Sequence, residues 1–178
     1  MYIWVGINVD GQLSEIREAT QKAESEIGVD NSNFTLPLHI SLKISFKIED
    51  ELFDEVVQDI VEIYERVVPF DIFVDCIELH DNICWILMKP NENLISLSDE
   101  INALMLKKYS IPLHEYDLDY KFHTTLFMDN RCEKVSAGYE KIKNIKVPSR
   151  LRAEKFLIGT SETGALGTFK VYKEVDVR

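Results

Sequence analysis

The chain has 178 residues, 46% hydrophobic and 29% charged, an ordinary globular balance that suits one domain or two small lobes sharing a core. Apolar runs too short for a bilayer, an N-terminus without the basic region of a signal peptide, and three cysteines without a CxxC pair argue against a membrane protein, a disulfide framework and a cysteine zinc site, so a cytoplasmic protein without a cofactor is expected. A formal net charge of −11 argues against gripping long duplex nucleic acid, but leaves room for a small phosphate ester or an RNA end held by a few local donors.

In chain order, residues 2–9 read as a strand, ended by the turn signal Asp10-Gly11. Residues 12–27 are an amphipathic helix with Leu13, Ile16, Ala19, Ala23 and Ile27 on one stripe and Gly28 as its C-cap. A polar loop over 30–33 and Pro37 lead into a strand that starts at Leu38 and runs to Ile48. A helix over 50–67 follows, with an acidic first turn and Pro69 beyond its end. Strands over 70–79 and 83–88 flank the turn His80-Asp81-Asn82, and a helix over 94–108 precedes a loop from Pro112 to Asp119. The His123 strand, a helix over 133–145, and strands over 152–158 and 168–175 joined by a hairpin loop close the chain. The order strand, helix, His-strand, helix, strand occurs twice, and Met1-Tyr2-Ile3-Trp4 matches Asn82-Ile83-Cys84-Trp85 in character. No linker interrupts the chain, so a single bilobal domain over 1–178 is expected, with pseudo-repeat halves of about 1–80 and 81–178.

Each half carries a short apolar strand with a histidine and a hydroxyl residue two positions on: Leu38-His39-Ile40-Ser41-Leu42 and Phe122-His123-Thr124-Thr125-Leu126. Residues i and i+2 of a strand share a face, about 6.5–7 Å apart. His39 with Ser41, and His123 with Thr125, therefore each set a proton-transfer group beside a hydrogen-bond donor. Two such pairs facing across a groove can hold a phosphate and move protons on either side of it. Lys43 continues the parity of His39 and Ser41 and is a candidate phosphate contact. Phe46, Tyr120 and Phe127 are candidates to stack a base, though strand aromatics are more often core. His80 and His114 read as surface residues. The sequence has no HExxH, P-loop or GxGxxG, so zinc proteolysis, NTP hydrolysis and dinucleotide binding have no support.

The two tetrads resemble the signature of the 2H phosphoesterase superfamily, with the 2′-5′ RNA ligase and cyclic phosphodiesterase branch most similar. The resemblance implies an α+β fold of two duplicated lobes, with antiparallel sheets lining a central groove and helices outside. It implies metal-independent opening of 2′,3′-cyclic phosphates or cleavage of 2′-5′-linked nucleotide ends, with reversible ligation as a further activity. His39 and His123 are then the acid–base pair, with His123 as base and His39 as acid. Ser41, Thr125 and Lys43 are the phosphate-binding residues. The partner is a small phosphoester or RNA end, and a monomer is expected. Where several members carry an arginine shortly after the second motif, this chain reads Phe127-Met128-Asp129. Asp129 shares the parity of His123 and is expected near the groove mouth, disfavouring highly charged substrates. The alternative function is a non-catalytic nucleotide-binding module using the same groove.

Overall fold

Along the chain run β1 (Tyr2–Asn8), α1 (Ser14–Ile27), β2 (His39–Lys47), α2 (Phe53–Glu65), β3 (Phe70–His80), β4 (Ile83–Met88), α3 (Glu92–Tyr109), β5 (His123–Met128), α4 (Cys132–Ile142), β6 (Arg150–Ala153), β7 (Lys155–Ser161) and β8 (Lys170–Asp176). The computed structural model describes residues 1–29, 36–118 and 120–177, so the polar loop expected over 30–33 lies outside the described residues. Helix ends follow local chemistry. Gly28 adopts φ +70°, and its N–H closes α1 on the Glu24 carbonyl at 2.7 Å. The Asn91 side chain opens α3 by accepting from the N–H groups of Asn93 and Leu94 at 3.0 and 3.2 Å. A 3₁₀ turn over Asp50–Leu52 leads into α2, so the acidic cluster sits at a helix start.

The strands form two antiparallel sheets, ordered β2-β1-β7-β8 and β5-β4-β3-β6. On the first sheet, Ser98 of α3 donates to the Leu42 carbonyl at 2.6 Å, and Tyr64 of α2, fully buried, stacks on Phe156 with ring centroids 4.7 Å apart. Ion pairs Arg66–Glu100 and Lys108–Asp59 join α2 to α3. Helices α1 and α4 pack together, with Lys141 reaching Glu26, and lie against strands of the second sheet. The sheets thus draw on both halves of the sequence: β3 pairs with β4, and β7 pairs with β1.

One expected strand is two. The stretch expected over 152–158 crosses between sheets at Glu154, with β6 pairing to β3 and β7 to β1. The burial pattern shows why. Leu151 and Ala153 point inward, Glu154 and Lys155 are both exposed, and the inward phase resumes at Phe156. Two consecutive exposed residues break the period of two, and the chain changes sheet there. At the middle of the molecule β2 and β5 meet edge to edge, with Thr124 Oγ1 donating to the His39 carbonyl at 2.9 Å. This contact brings the two histidine strands side by side.

Candidate active site

His39 opens β2 and His123 opens β5. Nδ1 of His39 lies 2.7 Å from the Pro37 carbonyl oxygen, and Nδ1 of His123 lies 2.7 Å from that of Lys121. A carbonyl only accepts, so each Nδ1 carries the hydrogen and each Nε2 is left with its lone pair. The two imidazoles are therefore held in the same tautomer by the same device, a carbonyl two residues upstream. Burial pushes the His39 pKa down to about 4, against the Pro37 bond and with added repulsion from His123. Burial also lowers the pKa of His123, opposed by its bond to Lys121. The Thr124–His39 bond keeps the two histidine strands side by side. Both imidazoles are neutral at neutral pH, so an incoming phosphate meets two bases, and its negative charge favours uptake of the one proton an acid–base pair needs.

A tryptophan backs each histidine. Trp4 on β1 meets His39 edge-on at 4.2 Å, and Trp85 on β4 meets His123 at 4.4 Å. The Trp4 Nε1–H donates to Ser41 Oγ at 2.9 Å, whereas the Trp85 Nε1–H donates to Glu78 at 3.1 Å. Trp4 needs room that only glycine leaves. A Cβ at Gly6 would meet the Trp4 ring and, at 2.6 Å, the Ile40 carbonyl, and one at Gly159 would fall 2.9 Å from the ring. Sequence reasoning did not single out the tryptophans as site residues, although the match between the two half-repeats already paired them.

Four of the five expected site residues, His39, Ser41, His123 and Thr125, keep the parity expected of them on the adjoining strands β2 and β5, with Thr125 on the hollow beside Arg17 and Leu38. Ser41 lies opposite Gly6, and Thr125 opposite Trp85, each two residues along its strand from its histidine. Lys43 is the exception. β2 carries a bulge between the pairs Gly6/Ser41 and Val5/Lys43, so Leu42 is the extra residue and Lys43 faces the same way as the fully buried Val5. The Lys43 ammonium is 2% exposed and donates to Asn102 at 2.7 Å and to Asp117 at 2.9 Å. It is a structural ion pair turned away from Ser41, because the bulge cancels the parity that placed it beside Ser41. The second motif has the same device: Trp85 pairs with Thr125 and Cys84 with Phe127, so Leu126 is the extra residue. Phe127 is consequently core, and Asp129 is buried, its carboxylate bound by the Arg131 guanidinium at 2.6 and 2.8 Å. Its expected place at the groove mouth is corrected for the same reason.

Among the proposed stacking aromatics, Phe46 and Phe127 are core, but Tyr120 belongs to the site. Its ring centroid is 5.9 Å from that of His123. Burial pushes its pKa up to about 12. His114 caps a 3₁₀ turn over Glu115–Asp117, with its side chain accepting from the Tyr116 N–H at 3.3 Å. His80 is exposed, as expected, at the end of β3, and stacks on Trp85 at 5.3 Å with the planes 7° apart. A cavity of about 520 Å³ opens beside His123, with His80, Trp85, Tyr116, Tyr120 and Lys121 on its walls. Among the described residues no group of three or more His, Cys, Asp or Glu is placed to hold a metal, and no helix is long and apolar enough to cross a membrane.

No protein-family model and no curated protein matches the chain. Solved structures do. An apo crystal structure of E. coli LigT aligns over 98% of this chain and 96% of its own, at 17% identity and a TM-score of 0.59. A phosphoesterase aligns over 98% and 97%, at 16% identity and a TM-score of 0.56. Kluyveromyces marxianus Usb1 aligns over 98% and 97%, at 10% identity and a TM-score of 0.50. LigT has also been crystallised with 3′-AMP, and that structure aligns at a TM-score of 0.53. Two four-stranded antiparallel sheets, paired histidine strands at their junction, and these alignments over nearly the whole chain give the protein the α+β fold of the 2H phosphoesterases.

Proposed function

We propose that this protein is a metal-independent phosphoesterase that opens 2′,3′-cyclic phosphates, or cleaves 2′-5′-linked nucleotide or RNA ends, by proton transfer between His39 and His123. The observation that carries the reading is the matched pair of imidazoles. Each is fixed by an upstream carbonyl, backed by a tryptophan and left with a basic Nε2, on strands joined by the Thr124–His39 bond. A structural or purely binding groove needs neither the shared tautomer nor two proton-transfer groups. The LigT complex with 3′-AMP supports a nucleotide as ligand.

In hydrolysis, one imidazole takes a proton from water as the new O–P bond forms. The other, protonated once the anionic substrate is bound, gives its proton to the ribose oxygen as the opposite P–O bond breaks. The two histidines exchange protonation states, and solvent restores them. Ser41 and Thr125 hydrogen-bond the non-bridging oxygens as charge builds there. Trp4, which donates to the Ser41 oxygen, holds that hydroxyl beside His39. With a ribose hydroxyl in place of water, the same transfers open the cyclic phosphate onto that hydroxyl and form a phosphodiester as the ring P–O bond breaks, which is the ligase direction.

The test is turnover of the four 2′,3′-cyclic nucleoside monophosphates in EDTA, with the product phosphates separated by chromatography. Metal-independent formation of a single phosphomonoester isomer, reduced about 10²-fold or more in His39→Ala and in His123→Ala, is expected. Tight nucleotide binding without turnover would instead establish the binding module.

A further inference from the structure

The two histidine strands are entered alike and differ at one peptide unit. Val9 donates its N–H to the Leu38 carbonyl at 3.0 Å, and Met88 donates to the Phe122 carbonyl at 2.9 Å, so the residue before each histidine is tied down in the same way. One carbonyl earlier, Pro37 accepts from His39 Nδ1 and Lys121 accepts from His123 Nδ1. The N–H groups of those same two peptide units have different partners. That of Leu38 donates to the Asp10 carboxylate at 2.9 Å, whereas among the described residues no carboxylate accepts from that of Phe122. The Asp10 oxygen that accepts is also the one paired with Arg17, and the Asp10 N–H donates to the Asn8 side chain at 3.1 Å. The other titratable groups round this end of β2 are His123 on β5, Arg17 and Glu24 on α1, and Glu174 on β8, to which Asn8 donates at 2.9 Å. The Pro37 C=O and the Leu38 N–H belong to one planar trans peptide and point in opposite directions. A carboxylate that draws on the N–H raises the electron density on the carbonyl oxygen and strengthens the bond this oxygen accepts from the imidazole. The gain is greater for an imidazolium than for a neutral ring.

We propose that Asp10 is a positioning residue for His39, a carboxylate that acts through the Pro37–Leu38 peptide to hold the His39 ring in its tautomer and to stabilise that ring when it takes up a proton. The proposal deepens the phosphoester reading above, on which its catalytic meaning rests. Burial opposes protonation of both rings, and Asp10 offsets that opposition on one of them. The carboxylate thus biases the shared proton towards His39, and so towards the order in which His123 acts as base and His39 as acid. One residue outside both motifs makes two matched histidines unequal. Arg17 tempers the effect, because it draws on the same carboxylate oxygen.

Two substitutions separate charge from scaffold. Asp10→Asn keeps an oxygen for the Leu38 N–H and removes the charge. Arg17→Gln, at a half-exposed position on α1, removes the competing cation and leaves the charge in full. The first readout is the Nδ1–H proton of each imidazole in the full chain at pH 7, by ¹H–¹⁵N NMR, with the resonances assigned from His39→Gln and His123→Gln. In Asp10→Asn the His39 Nδ1–H is expected to move upfield as its hydrogen bond weakens, with the His123 Nδ1–H unmoved. In Arg17→Gln the His39 Nδ1–H is expected to move downfield. A merely structural role for Asp10 does not give opposite signs in the two variants, and Arg17→Gln tests the same charge should Asp10→Asn fail to fold. The second readout is turnover of a 2′,3′-cyclic nucleoside monophosphate, in which Asp10→Asn is expected to lower kcat about three- to tenfold with KM nearly unchanged. An unmoved His39 resonance in folded Asp10→Asn, shifts of one sign in both variants, or an equal shift of His123 overturns the proposal and leaves the phosphoester reading standing. The expected resonance shifts with no turnover of cyclic phosphate by wild type support the link from Asp10 to His39 and overturn the phosphoester reading.

Discussion

At the scale of single residues, the site depends on two imidazoles kept neutral. His39 has a folded-state pKa of about 4 against an ordinary 6.5, with burial the largest cause and His123 adding to it. The sign of the consequence follows from linkage. Above pH 6.5 neither the folded nor the unfolded chain protonates this group, and its contribution to stability is complete. As pH falls from 6.5 towards 4, the unfolded chain takes up a proton that the folded chain refuses, and stability is lost, by at most about 3 kcal/mol. Urea unfolding at pH 7.5 and pH 5 is expected to show this loss in wild type and a smaller one in His39→Gln. On the proposed mechanism the active form of the free protein has one imidazole protonated and one neutral, and both pKa values are depressed. The pH profile of kcat/KM is therefore expected to be a bell with its maximum below pH 6.5. A maximum above pH 7 would show that the histidines are not the titrating pair.

At the scale of elements, the two bulges decide which residues of each motif reach the groove. In both motifs the leucine after the hydroxyl residue is the extra one, so the parity that carries the histidine and hydroxyl to the groove ends there. Lys43 and Phe127, each four residues beyond its histidine, turn inward as a result. Lys43 now ties β2 to α3 through Asn102 and to the 3₁₀ turn bearing Tyr116 through Asp117, whose carboxylate also accepts from the Ile44 and His114 N–H groups. Removing one partner of a buried pair strands the other charge, so Lys43→Met is expected to cost about 3–5 kcal/mol in urea unfolding. The kcat of its folded fraction is expected to fall far less than that of His39→Ala.

This division also marks what the sequence made legible. The histidines and hydroxyls were readable because they lie before the bulge, where a period of two holds. Lys43 and Asp129 were misplaced because a bulge leaves no signature in a run such as Ser41-Leu42-Lys43, whose residues all suit a strand. Trp4 and Trp85 were visible as a repeated feature, but only the fold shows Trp4 lying over Gly6 and Gly159 and reaching Ser41. The stacking of His80 on Trp85 joins the end of β3 to β4 across a register that residue spacing does not encode.

At the scale of the molecule, repeat and lobe are not the same unit. The halves of the sequence repeat the order of elements, yet β7 completes the sheet begun by β1, β6 joins the sheet of β3, and the crossing at Glu154 links the two. Each histidine strand is thus set in a sheet built from both halves, which holds the two imidazoles in register with each other. The whole molecule also carries a net charge of −11, and with Lys43 neutralised by Asp117 the groove has few cations to offset it. Repulsion of anions should slow encounter at low ionic strength. The kcat/KM for an oligonucleotide ending in a 2′,3′-cyclic phosphate is expected to rise as salt is raised from about 20 to 200 mM, the reverse of a basic nuclease. A fall over that range would point to a cationic path for the strand.

On the proposed mechanism His39 and His123 act as one unit on either side of a phosphorus atom. The most direct measurement is kcat for a 2′,3′-cyclic nucleoside monophosphate in His39→Ala, His123→Ala and the double variant, with folding checked by circular dichroism. Two groups that complete a single proton relay are strongly non-additive: each single substitution should cost about 10²-fold or more, and the double variant should be little slower than the worse single. If the two losses simply multiply, or if either single variant keeps near-wild-type turnover, the histidines do not work as a pair and the mechanism proposed here is wrong.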